Sequence, residues 1–280
     1  MQQQVQIFVG NFFLKGIDLH HFFELLEETE AWVVGGVPHR IMADPSFRHL
    51  YEHHPPKEMD ILIPSLSNFS TKHWTRFLKG TGGYRCPIFF GPHYPHHHTA
   101  SLYYRLPNEV CLGLLLDSQI LIQQKTGHVI KIFMSKKKTV IPLFLQSTNT
   151  SNFFVLTHSQ LHNFYPSLTR RQINITSSTW CNGHERDSKY FCGLRSHFST
   201  IKWEEPCDAA CLIEPRFTKG MVRIGTARWG GFDGTFDLGD GMDFISIGSN
   251  IESTNYMWRL GEWCCNSHCP NYRRRINLLY

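Results

Sequence analysis

Several features that would identify a protein class at once are missing from this chain of 280 residues. No apolar run approaches the roughly 18–20 residues that a bilayer-spanning helix needs, so the sequence predicts no membrane segment. The first residues, Met1-Gln2-Gln3-Gln4-Val5, contain neither the basic stretch nor the apolar stretch of a secretory signal. We therefore expect an intracellular, cytoplasmic protein.

Two motifs of common catalytic classes are also missing. No Gly-x-Ser-x-Gly elbow occurs, which argues against a hydrolase with a serine nucleophile of that kind. No Gly-x-x-x-x-Gly-Lys-Ser/Thr loop occurs, which excludes the P-loop class of nucleotide-binding proteins. The net charge is only +5, from 28 Lys and Arg against 23 Asp and Glu, so charge does not indicate a nucleic-acid partner.

The chain does contain enough apolar residues for a sizeable core, because 41% of its residues are hydrophobic and 18% are charged. Helical and extended patterns alternate along the first 85 residues, and short apolar runs follow. Helices are predicted from Asp18 to about Glu30 and around Trp74, and strands at 31–34, 59–63, 110–116, 120–122 and 129–134. This order predicts an α/β or α+β fold in which helices flank a mixed sheet.

The composition changes near residue 176. The segment 176–280 holds seven of the nine cysteines and five of the seven tryptophans, together with a dense run of glycines. We therefore predict a core at 1–175 and a Cys-, Trp- and Gly-rich C-terminal region at 176–280. This region is either an appended lobe or an outer layer of the same domain.

Two candidate site features lie on successive predicted strands. The first strand ends at Gly35-Gly36, where the backbone can approach a bulky anion and the amides of the following turn would face a phosphate. On the second strand, Glu58 and Asp60 share one face, because side chains at i and i+2 point the same way. Two carboxylates beside a glycine turn predict a cradle for Mg²⁺ and a triphosphate. The alternative is that the glycines merely end a strand and that both carboxylates are solvated.

The segment Trp32–Ile63 resembles the signature of the nucleotidyltransferase (DNA polymerase β-like) fold: a hydrophobic strand, two small residues, then an acidic-x-acidic pair. Further short motifs, in the same order, resemble a group of largely uncharacterised nucleotidyltransferase-like proteins of basidiomycete fungi. These motifs extend the resemblance over about residues 31–230 and are Lys131-Ile132-Phe133, Gln146-Ser147-Thr148 with Asn152, Tyr165-Pro166-Ser167-Leu168-Thr169, Cys207-x-x-x-Cys211, Pro215-Arg216 and Ala227-Arg228-Trp229.

The resemblance implies a nucleotidyltransferase-like mixed sheet that binds a nucleoside triphosphate and Mg²⁺. It assigns Glu58 and Asp60 to catalysis and to Mg²⁺, and Gly35, Gly36 and Arg40 to the nucleotide. Active members of this fold carry a third carboxylate on a later strand, and the matching position here is Phe133, which can neither bind Mg²⁺ nor accept a proton. Transferase activity is therefore expected to be weak or lost, and the acceptor is not indicated. The alternative is a non-catalytic scaffold that binds a protein partner.

The cysteines suggest a separate hypothesis, because thiolates and imidazoles are the usual zinc ligands. Two cysteine pairs, more than fifty residues apart, could supply four ligands: Cys207, Cys211, Cys264 and Cys269. The alternative is that these residues are buried thiols that pack the C-terminal region, as cysteines do in a reducing compartment.

Overall fold

A computed structural model describes residues 2–13, 16–42, 56–65, 69–80, 83–86, 114–145, 152–170, 216–217, 224–228, 257–258 and 269. The chain divides into two compact units. One comprises Met1–Gln146, Phe154–His162 and Thr226–Met242, and the other comprises Ser147–Phe153, Asn163–Gly225 and Asp243–Tyr280. The boundary near residue 175 stays a prediction. Within the described ranges, no helix is long and apolar enough to cross a membrane.

The described residues form a mixed α/β structure, which confirms the predicted fold class at that level. The helices are α1 (Gln2–Gly10), α2 (Gly16–Glu28), α3 (Gly36–Ile41), α4 (Phe69–Gly80), α5 (Ile141–Phe144) and α6 (Pro166–Arg170). The strands are β1 (Trp32–Val34), β2 (Glu58–Ile63), β3 (Tyr84–Arg85), β4 (Leu115–Gln123), β5 (Val129–Ser135), β6 (Phe154–Leu156), β7 (Gln160–Asn163), β8 (Arg216–Phe217), β9 (Gly225–Arg228) and β10 (Met257–Trp258).

Eight of these strands form one sheet in the order β3-β4-β5-β2-β1-β6-β7-β9, and β8 pairs with β10 separately. The interior strand β2 pairs antiparallel with β1 and parallel with β5, so the large sheet is mixed. One face of β2 carries Met59, Ile61 and Ile63, which are all completely buried. We call the opposite face the site face, and on β2 it carries Glu58, Asp60 and Leu62. The residues in register with these three on the neighbouring strands belong to the same face. They are Trp32 and Val34 on β1, Val129, Lys131 and Phe133 on β5, and Ser118, Ile120 and Ile122 on β4.

The two predicted helices α2 and α4 pack against each other through aromatic side chains. Trp74 of α4 is buried, and its ring meets that of Phe22 edge to face at a centroid distance of 5.6 Å. The indole Nε1 donates a hydrogen bond of 3.1 Å to Thr29 Oγ1, and that hydroxyl donates to the carbonyl of Leu25. The buried indole therefore keeps a polar partner while its ring fills the core.

Two helices differ from the sequence prediction, one in its existence and one in its first residue. Helix α1 was not predicted, although Val5, Phe8 and Val9 are buried at the i, i+3, i+4 spacing of an amphipathic helix. Helix α2 begins at Gly16, so Asp18 lies inside its first turn and not before it. A carboxylate interacts favourably with the helix dipole both at the residue before the helix and in its first turn. The sequence pattern therefore could not distinguish these two positions for Asp18.

The prediction of two strands, at 110–116 and 120–122, is wrong for the described part of this segment. A single strand, β4, runs from Leu115 to Gln123. The polar residues in its centre interrupt the apolar pattern, but pairing with β5 holds them in the sheet, with an irregularity between Leu115 and Asp117. Tertiary pairing therefore overrides the local signal here. Residues 110–113 lie outside the described part of the chain.

Tyr84 of β3 provides a test of this packing. Its hydroxyl donates a hydrogen bond of 2.9 Å to the backbone carbonyl of Phe12, and burial raises the pKa of Tyr84 well above its usual range. We expect Tyr84→Phe to lower the free energy of unfolding by about 1–2 kcal/mol, because the buried carbonyl loses its donor. Urea denaturation with an unchanged m value would measure this loss, and a variant as stable as the wild type would contradict it.

Candidate functional site

The glycine turn after β1 lies directly against the Asp60 carboxylate. Val34 is in register with Asp60, and Gly35 follows with φ 76° and ψ −129°, a conformation that other residues rarely adopt. A Cβ atom placed on Gly35 would lie 3.3 Å from Asp60 Oδ2. Glycine at this position therefore lets the carboxylate approach the backbone closely, and the structure brings together two features that the sequence predicted separately.

The two predicted carboxylates share the site face but differ in environment. Asp60 is only 1% exposed, whereas the side chain of Glu58 is 52% exposed. Residues two apart on a strand point the same way, so one carboxylate lies inside the sheet layer and the other at its solvent-exposed rim. A ligand from solvent would therefore meet Glu58 before Asp60.

Lys131 lies beside this pair on the neighbouring strand β5, and the sequence does not assign it to the site. On β5 it is in register with Asp60, and its Nζ lies 2.6 Å from Glu58 Oε2. The lysine side chain is 15% exposed, so this ion pair is more enclosed on the lysine side than on the glutamate side. The sequence showed Lys131 only as part of a short motif, because the parallel pairing of β5 with β2 is not visible in either strand alone.

Phe133, which the resemblance places at the third carboxylate, also belongs to the site face. It is in register with Leu62, two residues beyond Lys131 along β5, and it is buried. Its neighbour on β4 is Ser118, which is also buried. An acidic side chain at this position would have to lose its hydration in an enclosed layer of the sheet, at considerable cost.

Helix α3 follows the glycine turn and contains Arg40, which is buried one helical turn after Gly36. Its neighbour His39 is buried as well, and its ring meets Phe154 edge to face at 4.7 Å. Burial, with a smaller contribution from the charge of Arg40, lowers the pKa of His39 to about 4. Pro38 has no N–H, so it reduces the number of amide donors that were predicted to face a phosphate.

The donor set of this site fits a divalent metal in part. Glu58 and Asp60 offer two hard oxygen ligands on one face, and Mg²⁺ takes few protein ligands when phosphates and water supply the others. Among the residues that the structure describes, no group of three or more His, Cys, Asp or Glu could hold a metal ion. Lys131 also neutralises Glu58. The arrangement therefore suits an ion that brings further ligands of its own better than an ion bound by protein alone.

The zinc hypothesis stays a prediction. Three of its four residues, Cys207, Cys211 and Cys264, lie outside the described part of the chain. The fourth, Cys269, is buried.

No family model, no curated protein and no solved structure matches this chain.

Proposed function

We propose that this protein binds a nucleoside triphosphate together with Mg²⁺ at the Gly35 turn and the Glu58–Asp60 pair, and that nucleotidyl transfer is weak or lost. The observation that carries the proposal is the Asp60 carboxylate lying against the glycine turn, with a second carboxylate on the same face of the strand. A nucleotidyltransferase-like fold is part of this proposal, and it is supported by the order of β1, the glycines, α3 and β2.

Binding of Mg²⁺ with a nucleotide is favoured because one carboxylate, Asp60, is buried and fixed, whereas the other, Glu58, is exposed and adaptable. Mg²⁺, when bound, would be held by Asp60 and Glu58 and would neutralise the phosphates of the nucleotide. Asp60 is held in one place by the sheet and by the turn, so little conformational freedom is lost when it binds a ligand. Glu58 at the rim can change its rotamer to meet the Mg²⁺ ion that the phosphates carry, since half of its side chain is exposed.

Transfer is disfavoured by the residues on β5. A complete site of this type requires a further group that accepts the proton of the attacking hydroxyl. The site face of β5 offers Val129, Lys131 and Phe133. None of these side chains suits that role. Val129 and Phe133 have no group that accepts a proton, and the ammonium group of Lys131 already carries one and is paired with Glu58.

Titration calorimetry with ATP and with GTP, each in the presence of MgCl₂, tests the proposal. We expect binding that requires Mg²⁺ and that weakens at least about tenfold in Asp60→Asn, which corresponds to about 1.4 kcal/mol of binding free energy. Asp117→Asn is a matched control, because Asp117 is in register with Met134 and therefore lies on the opposite face of the sheet. Equal affinities of the wild type and both variants would refute the assignment of Asp60.

A non-catalytic scaffold is the second candidate function. The ion pair between Lys131 and Glu58 favours it, because the chain itself supplies a counter-ion to one of the two carboxylates. If neither ATP nor GTP binds in the calorimetric experiment, the scaffold function is favoured, with a protein partner as the ligand.

A further inference from the structure

The position of Lys131 suggests how metal binding at this site is controlled, provided that the proposed function holds. The lysine is in register with the buried Asp60 and its ammonium group contacts the exposed Glu58. It therefore occupies a Glu58 oxygen atom that a divalent ion at this site would need. We infer that Lys131 competes with divalent metal for Glu58, so that metal binds well only when a triphosphate arrives with it.

The competition follows from charge and enclosure. A divalent ion on Glu58 would lie close to the ammonium group, and like charges at such a distance repel strongly where solvent is partly excluded. Lys131 would then have to turn away from Glu58 and give up a charge-assisted hydrogen bond of 2.6 Å. Because its side chain is only 15% exposed, solvent would replace that partner poorly.

A triphosphate changes this balance because it offers Lys131 a new anionic partner. Once the ammonium group contacts phosphate oxygens, Glu58 is released to the metal ion that the nucleotide carries. Metal and nucleotide then strengthen each other's binding, and the factor must be the same in both directions. The site would discriminate metal-bound nucleotide from free metal, without any further regulatory element.

Electron paramagnetic resonance of Mn²⁺, which replaces Mg²⁺ and reports the unbound ion directly, tests this inference on the full chain. We expect weak Mn²⁺ binding to the wild type without nucleotide, and binding about tenfold tighter or more in Lys131→Met, which keeps the length of the side chain and removes its charge. ATP should tighten Mn²⁺ binding strongly in the wild type and less in this variant. Lys138→Met, at an exposed lysine on the turn after β5, should behave as the wild type.

Two further variants make the experiment decisive. Glu58→Gln should remove the effect of Lys131→Met in the double variant, because the residue for which lysine and metal compete is gone. Lys131→Gln serves as a second substitution, and circular dichroism verifies that each variant is folded. If Mn²⁺ binds to the Lys131 variants no more tightly than to the wild type, the competition is refuted. A different result refutes the proposed function: the wild type does not bind Mn²⁺·ATP. In that case, tighter Mn²⁺ binding in Lys131→Met would still support the competition.

Discussion

At pH 4 we expect the protein to be less stable than at pH 7.5 by on the order of several kcal/mol, mainly because of two buried histidines. His39 on α3 and His162 on β7 are both buried. Burial lowers the pKa of His162 to about 3, and burial together with the charge of Arg40 lowers the pKa of His39 to about 4. Each imidazole is thus neutral in the folded protein at pH values where it is protonated in the unfolded chain.

The direction of the effect follows from the two pKa values of each residue. In the unfolded chain a histidine has a pKa of about 6.5, so below that value the unfolded state binds protons that the folded state excludes. The stability contribution of each neutral imidazole is fully present above about pH 6.5. It decreases as the pH falls, until about pH 4 for His39 and about pH 3 for His162.

Urea denaturation at a series of pH values between 7.5 and 4 measures this dependence. Replacement of His39 or His162 by leucine should flatten the curve, even where the substitution lowers stability at pH 7.5. His73→Gln is the comparison variant, because it removes an imidazole from an exposed position on α4 and not from the core. If the leucine variants keep the slope of the wild type, other groups must cause the acid destabilisation.

The sequence predicted the elements around the glycine turn because each carries a strong local signal. The apolar run before Gly35 predicts β1, and the apolar side chains of 59–63 predict β2. The two glycines are visible as well, and the sequence predicts that they let an anion approach the backbone; the group that lies against Gly35 in the structure is the Asp60 carboxylate. The juxtaposition of Gly35 with Asp60 could therefore be anticipated from two neighbouring strands of the chain.

The role of Lys131 could not be anticipated in the same way. Strand β5 pairs with β2 across more than sixty residues of sequence, and a parallel pairing leaves no turn signal that would fix its register. Lysine in a half-buried strand also appears as an ordinary solvated residue in the sequence. The burial of His39 and His162 was hidden for a similar reason, since it arises from tertiary packing such as the contact between His39 and Phe154.

Gly35→Ala should affect both stability and ligand binding. Alanine would be strained at φ 76° and should lower the free energy of unfolding by about 1–3 kcal/mol. Its Cβ would also lie 3.3 Å from Asp60 Oδ2, closer than most Cβ contacts, so the carboxylate would have to shift by a few tenths of an ångström. A shift of this buried group should weaken the binding of Mg²⁺·ATP by at least about tenfold, since metal ligands tolerate little displacement.

The chain offers a control that separates the two effects. Gly127, in the turn between β4 and β5, has a φ of 73°, but a Cβ placed on it meets no atom within 4 Å. Gly127→Ala should therefore lose stability through its positive φ alone and bind nucleotide as the wild type does. Denaturation and calorimetry on both variants distinguish backbone strain from displacement of Asp60. If Gly35→Ala retains wild-type affinity while losing stability, the glycine turn does not position the carboxylate. If both variants lose affinity equally, binding depends on overall stability and not on the contact between Gly35 and Asp60.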